Sequence, residues 1–412
     1  MQESQIVSSD TCAIIILGCF DTKSEDFGYL YQCLKDQDVE IITIDTGIFE
    51  SKTDFRIDFD SEKVASASGA NLTDLQNARD RSTSLELMGK GAGLILSNLL
   101  SQRRIKGVIG MGGGGGTFVS LLAMQSLPLE IPKLCLSTVA SKDLSRQVGS
   151  KNILLMPSVV DVAGLNKISR LVIRQAAGAL IGMVASTQEG VKEGNSRTIA
   201  ISMFGNTTEC VEHCTQLLKE KGYEVLAFHS VGAGGRTMEA LIREGLIDGV
   251  LDITTTELAD ELCDGICSAG KDRLTAASDM GIPQIVVPGC IDMVNYGHVD
   301  TVPEHYKDRL LFRWAPDVTL MRTNTEENVI LGTEIAEKLN ASKGKVVVCL
   351  PLLGISIVSR EGEVFYAPES DKVLFDTIKA ELQSNIPVIE SPTHINDIQF
   401  AEVAVFKLLE LL

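Results

Sequence analysis

Along its 412 residues the chain alternates apolar runs of strand length with segments of helical period, and that alternation leaves few folds open to it. In the first half, strands are predicted at 13–17, 39–44, 107–109, 133–136 and 153–156, and helices at 24–35, 82–100, 117–125 and 162–186. Strands joined through helices lie parallel, with right-handed crossovers. The pattern restarts with strands at 198–203, 224–228, 249–253, 284–287, 346–350 and 387–389, and closes on an amphipathic helix over 396–412. A Gly-containing turn between apolar runs near 354–366 predicts a hairpin added to the second sheet. The chain exceeds the size at which one core stops growing, so two domains are expected. The polar stretch 188–196 is their linker, separating a domain over 1–187 from one over 197–412. The fold class is α/β: two domains, each a mainly parallel sheet flanked by helices, with a cleft between them. Ligands of such sheets collect at the C-terminal edges of the strands.

The third predicted strand stops in five consecutive glycines, Gly112, Gly113, Gly114, Gly115 and Gly116, followed by Thr117 and a helical run. Glycines let backbone N–H groups converge on an anion, and the start of a helix adds unpaired donors and a partial positive charge. Phosphate is the natural guest; a bare strand-to-helix turn is the alternative. A Walker loop is unsupported, because no Lys follows the glycines. The first strand leads into Gly18-Cys19-Phe20-Asp21-Thr22-Lys23 rather than GxGxxG, so a dinucleotide fingerprint is lacking too.

Other strand ends supply further candidates. Asp21 and Thr22 suit ligand contact or simple capping. Lys23 is a cation at a helix start, which the dipole disfavours unless an anion lies beside it. Asp45 follows the second strand, where an acid can accept from ribose hydroxyls or form a turn. The segment Arg79-Asp80-Arg81 precedes a long helical run and could offer phosphate a bidentate guanidinium, Arg81 being the residue chosen from it; a solvated helix start is the alternative. Thr138 lies in the hydroxyl-rich run 137–143 after the fourth strand. In the second half, the turn at 205–208 opens a helix much as a small anion site would. His229, Glu257 and Asp292 follow strand ends and are the candidate acid–base groups, with a packed histidine and turn carboxylates as the alternatives. No metal ligand set is assigned: the i,i+4 pairs Cys210/Cys214 and Cys263/Cys267 are not zinc-knuckle spacing.

A formal charge of −18 opposes non-specific contact with nucleic acid, although local amides and a few cations can still hold an anionic nucleotide. Neither a bilayer-spanning run nor a basic-then-apolar leader is evident, so a cytoplasmic chain without membrane partners is expected. The ten cysteines fall mostly in apolar patterns and are read as free thiols.

Taken together, several segments resemble one family: the ATP-binding domain of plant tobamovirus-resistance proteins and its uncharacterised bacterial and fungal relatives. They are GCFDTKSEDFGYL from Gly18, ARDRSTSLELM around Arg81, GVIGMGGGGGT from Gly107, STVASKD from Ser137 and PSVVDVAGLNKISR from Pro157. FHSVGAGGRTME from Phe228, ITTTELADEL from Ile253 and IPQIVVPGCIDMVNYG from Ile282 continue it. The resemblance implies two Rossmann-like domains, a tendency to form homodimers, and ATP, alone or with Mg2+, bound in the first domain. Its site would fall on Lys23, Arg81 and the turn from Gly112 to Thr117, with Asp45 beside them. This chain departs from the family's pattern in a pure glycine run where relatives often carry a Ser, and in Ser82 where a Gly is common.

Two functions remain open at this point. One is an ATP-binding protein with a second small ligand in the cleft. The other is an enzyme acting on a phosphorylated small molecule, with His229, Glu257 and Asp292 moving protons. A nucleotide-sugar transferase fits two such domains, but no residue demands it.

Overall fold

The computed structural model describes residues 12–188 and 196–412, so the 188–196 linker lies, but for its two end residues, outside the described residues. The chain divides into two compact units, one up to Glu193 and one from Gly194.

The first unit is built on five parallel strands: β1 (Ala13–Gly18), β2 (Ile41–Asp45), β3 (Ile105–Gly112), β4 (Lys133–Ser137) and β5 (Leu154–Pro157). Their order is β2-β1-β3-β4-β5. β1 is buried along its whole length, as a central parallel strand must be when helices cover both faces. Ile15 and Leu17 point to one side, against α2 (Ser61–Ala67), α4 (Arg81–Ser101) and α5 (Gly114–Met124), with α3 (Leu72–Ala78) at its margin. Ile14 and Ile16 point to the other, against α1 (Phe20–Lys35) and α7 (Lys167–Gln188). Each such side chain contributes roughly 2 kcal/mol of burial. The short α6 (Ser145–Val148) lies between β4 and β5.

Among the described residues α7 is the one helix long and apolar enough to cross a membrane by length and composition, which corrects the expectation that no run reaches that length. Here Val172, Ile173, Ala176, Ala177, Leu180 and Val184 pack as a core face. The sequence also left α2 and α3 unpredicted, and it placed the start of α5 at Thr117 rather than Gly114.

The second unit has six parallel strands: β6 (Thr198–Met203), β7 (Glu224–His229), β8 (Gly249–Thr254), β9 (Gln284–Gly289), then β13 (Val346–Pro351) and β14 (Val388–Ser391). They run in the order β14-β13-β9-β8-β6-β7, the same 2-1-3-4-5 succession with a sixth strand appended. α8 (Thr208–Glu220) and α14 (Ile398–Leu411) cover Ile199 and Ile201. α9 (Ala233–Arg243) and α11 (Ala276–Met280) cover Ala200 and Val250. α12 (Thr325–Asn340) and α13 (Pro368–Glu381) pack on Val348 and Leu350, and α10 (Thr256–Leu262) joins that core.

The hairpin predicted near 354–366 is not formed. That segment is a 3-10 turn, Ile357–Ser359, held by the Ser356/Ser359 capping box and by the Ser356 hydroxyl donating to Asp292. Antiparallel structure occurs instead in a separate sheet, β10-β12-β11, formed by β10 (Met293–Tyr296), β11 (Leu311–Ala315) and β12 (Val318–Arg322).

Candidate functional site: a cavity at the switch point of the first sheet

Strand order reverses between β1 and β3, so the loops leaving these strands part company and open a crevice beyond their C-terminal ends. A cavity of about 860 Å³ lies there. That is within the ordinary size of small-ligand sites. It is lined by Cys19 and Asp21 to Lys23 after β1, 46–49 after β2, the α3–α4 region, Gly113 to Gly116, and Asp161 after β5.

Gly112 ends β3, Gly113 is the N-cap of α5, and Gly114, Gly115 and Gly116 form the helix's first turn. None of the five has a positive φ, so the run is not there to permit left-handed backbone. It provides bare amides: among the described residues no side chain caps this helix start. A Cβ on Gly114 would meet nothing within 4 Å, and one on Gly115 would lie 3.1 Å from Arg81 Nη2. Arg81, first residue of α4, therefore rests its exposed guanidinium against the first turn of α5. Neither the Arg81 nor the Arg79 side chain makes a hydrogen bond or ion pair among the described residues. Asp80 between them caps α4, accepting from the Ser82 and Thr83 amides and the Thr83 hydroxyl, and these bonds hold its carboxyl below its usual value.

Lys23 also lines the cavity. It leaves helical geometry inside α1 (φ −138°, ψ 31°) and donates to the Val162 carbonyl. Asp21 Oδ2 accepts from the Ile48 and Phe49 amides, each at 3.2 Å, while its buried Oδ1 has no donor among the described residues. Thr22 is exposed at the rim. Ile48, Leu75, Leu85, Met88 and Met111 give the cavity an apolar wall.

Four predicted residues stand behind the lining. Asp45 is buried: Oδ1 accepts from the Phe20 amide at 3.1 Å and the Gly47 amide at 2.9 Å, and Oδ2 accepts from the Ser51 hydroxyl. Burial lifts its pKa, with those hydrogen bonds working against the rise. Gly112 uses its carbonyl to accept from the Thr138 amide. Thr117 is buried and its hydroxyl pairs with Ser137 at 2.6 Å. Thr138 is held by its amide, near Gly113. Sequence reasoning offered the segment Arg79-Asp80-Arg81 as a source of a guanidinium and chose Arg81 from it; it did not assign the apolar wall, which the loop after β2 (Ile48), α3 (Leu75), α4 (Leu85, Met88) and β3 (Met111) bring together.

Among the described residues His229, Glu257 and Asp292 make no hydrogen bond to one another; each has its own partners. His229 is exposed at the end of the edge strand β7, its ring 5.5 Å from that of Phe204. Glu257 is fully buried; Oε1 accepts from the Gly232 and Gly235 amides at the start of α9, and Oε2 takes the Arg273 Nε–H at 2.6 Å. A Cβ on Gly235 would lie 2.1 Å from that carboxylate. Arg273, also fully buried, donates to both oxygens of Asp252 at 2.6 Å and approaches Glu239 at 3.4 Å. Asp292 is buried beside Ser356, and burial pushes it up to about 6. The turn at 205–208 is already served: the Asn396 carboxamide accepts from the Cys210 amide and donates to the Asn206 carbonyl. Among the described residues no three His, Cys, Asp or Glu side chains gather as a metal site.

Comparison with known proteins follows the same two-part division. The N-terminal-domain model of an uncharacterised protein family (UPF0261) matches residues 12–189, and the C-terminal-domain model matches 196–412. A UPF0261 protein of Clostridium tetani is 44% identical over 400 residues, covering 97% of this chain and 98% of that protein. A UPF0261 protein of Rhizobium meliloti is 38% identical over 394 residues, covering 95% and 97%. The tomato (Solanum lycopersicum) ToMV resistance protein Tm-1(GCR237) is 36% identical over 423 residues, covering 98% of this chain and 56% of the longer tomato protein.

Proposed function

The chain belongs to the UPF0261 family through both of its domains, and from that premise we propose that its N-terminal unit binds ATP, with the phosphates on the first turn of α5. The observation that carries this reading is the helix start itself. Gly113 to Gly116 line a cavity with no side-chain cap, so the orphan N–H groups of the first turn have only a ligand or water to satisfy them. The helix dipole places about half a positive charge there. Arg81 against Gly115 and Lys23 across α1 supply full charges to the same cavity. The apolar wall suits a base, and the switch point is where sheets of this order hold nucleotides.

Asp45, whose oxygens are committed to the Phe20 and Gly47 amides and the Ser51 hydroxyl, serves the shape of the site rather than the ribose. The alternative of acid–base chemistry on a phosphorylated small molecule would need His229, Glu257 and Asp292 at a common place, and their separate surroundings do not favour it.

Thermal unfolding tests the reading. A ligand at a hundred times its Kd stabilises by about 2.7 kcal/mol. In a domain of this size that raises the midpoint by roughly 5–10 °C. ATP is expected to produce such a rise and adenosine none. Equal shifts with both, or no shift at millimolar ATP, would contradict the phosphate anchor.

A further inference from the structure

We propose that Arg79 reads a second phosphate of the ligand and makes the site select nucleoside polyphosphates over monophosphates; this rests on the ATP reading above. Arg79 is the C-cap of α3 and sits in the left-handed region, φ 52° and ψ 20°. Helices that end this way strongly favour Gly, then Asn, because other side chains strain the backbone there. A long cationic side chain at such a position needs a use. Arg79 has none within the protein: it is exposed, lines the cavity, and has no partner among the described residues. The neighbouring carboxylate makes no ion pair with it: the Asp80 oxygens accept from the amides of Ser82 and Thr83 and the Thr83 hydroxyl instead.

Arg81 already stands at Gly115, where the first phosphate is anchored. A monophosphate there satisfies one guanidinium and leaves the other, on the same cavity, without a partner. Two guanidiniums flanking one capped aspartate, both on one cavity and both unpaired, match a ligand with more than one phosphate, each able to take a bidentate Arg. The bland explanation is that a cation suits the C-terminal end of α3. It accounts for a positive charge but not for a strained backbone under it.

Arg79→Gly separates the two. Glycine is the residue the backbone prefers at this φ, so the variant folds and is expected to melt at or above the midpoint of the unsubstituted protein. Calorimetric titration with ATP, ADP and AMP is the measurement. Loss of a charge-assisted phosphate contact corresponds to roughly tenfold or more in affinity. The expected result is that loss for ATP in Arg79→Gly, with AMP binding changed less than about twofold. If Arg79→Gly binds ATP as tightly as the unsubstituted protein, or loses ATP and AMP alike, the assignment is overturned while ATP binding stands. An unsubstituted protein that binds none of the three nucleotides overturns both readings together.

Discussion

Asp45 and Lys23 occupy positions that nucleotide-binding sheets use for ligand contact, yet their bonds place them in different roles. The Asp45 carboxylate joins the first amide of α1 to the loop after β2 and never reaches the cavity surface. Asp45→Asn keeps one oxygen for both amides and gives the Ser51 hydroxyl a donor to accept from, so denaturant unfolding should place it within about 1 kcal/mol of the unsubstituted protein. Asp45→Ala strands the Phe20 and Gly47 amides and should cost about 2–4 kcal/mol. ATP affinity should be nearly unchanged in Asp45→Asn; a tenfold loss would instead mean that the carboxylate grips the ribose. Lys23 was picked out in the sequence because a cation at a helix start conflicts with the dipole, and it lies in the cavity lining. The sequence could not reveal that it breaks helical geometry there and donates to a carbonyl 139 residues away.

At the scale of elements, three strand-to-helix turns look alike in the sequence: 112–117, 205–208 and 232–235, each rich in small residues. The structure separates them by what caps each helix start. The turn before α8 receives Asn396, 186 residues distant from Cys210, and the start of α9 receives Glu257, 25 residues from Gly232. Only the first keeps its amides uncapped and open to a cavity. The parallel strands of both sheets were legible, because strands buried on both faces read as unbroken apolar runs, whereas the antiparallel β10, β11 and β12 were not predicted. Availability for an anion was not legible, since the competing side chains come from far along the chain. The same cause misled the prediction near 354–366: its apolar runs suggested strands, while Ser356 was claimed by Asp292 from another loop.

The whole molecule combines two sheets of related order with opposite treatments of charge. The first unit leaves Arg79 and Arg81 unpaired at a cavity, whereas the second buries Arg273 among Asp252, Glu257 and Glu239. Asp260 is buried too, bonded to Cys267 and Asn295, and desolvation lifts it to about 7; Asp292 is lifted to about 6. Unfolded aspartate titrates near ~3.9. Their folded pKa values lie above that, so the stability they contribute is present below about pH 4 and lost as pH rises through 6 and 7. Trp314, the chain's one tryptophan, lies in this unit, so its fluorescence during denaturant unfolding at pH 5 and pH 8 reports the change. A lower stability at pH 8 is expected, with a smaller difference in Asp260→Asn, where the Asn295 carboxamide can turn its unpartnered oxygen to the new amide. An undiminished difference in that variant would place the titration elsewhere.

Phosphate anchoring on the first turn of α5 is tested most directly by calorimetric titration of ATP into the protein and into Gly114→Asp. The aspartate's Cβ enters open space and its charge favours the helix start, so the variant should melt no lower than the unsubstituted protein. Its carboxylate takes the place and the amides meant for phosphate, and the expected result is an ATP affinity reduced by about tenfold or more. Undiminished ATP binding by a folded Gly114→Asp protein would contradict the anchor at α5.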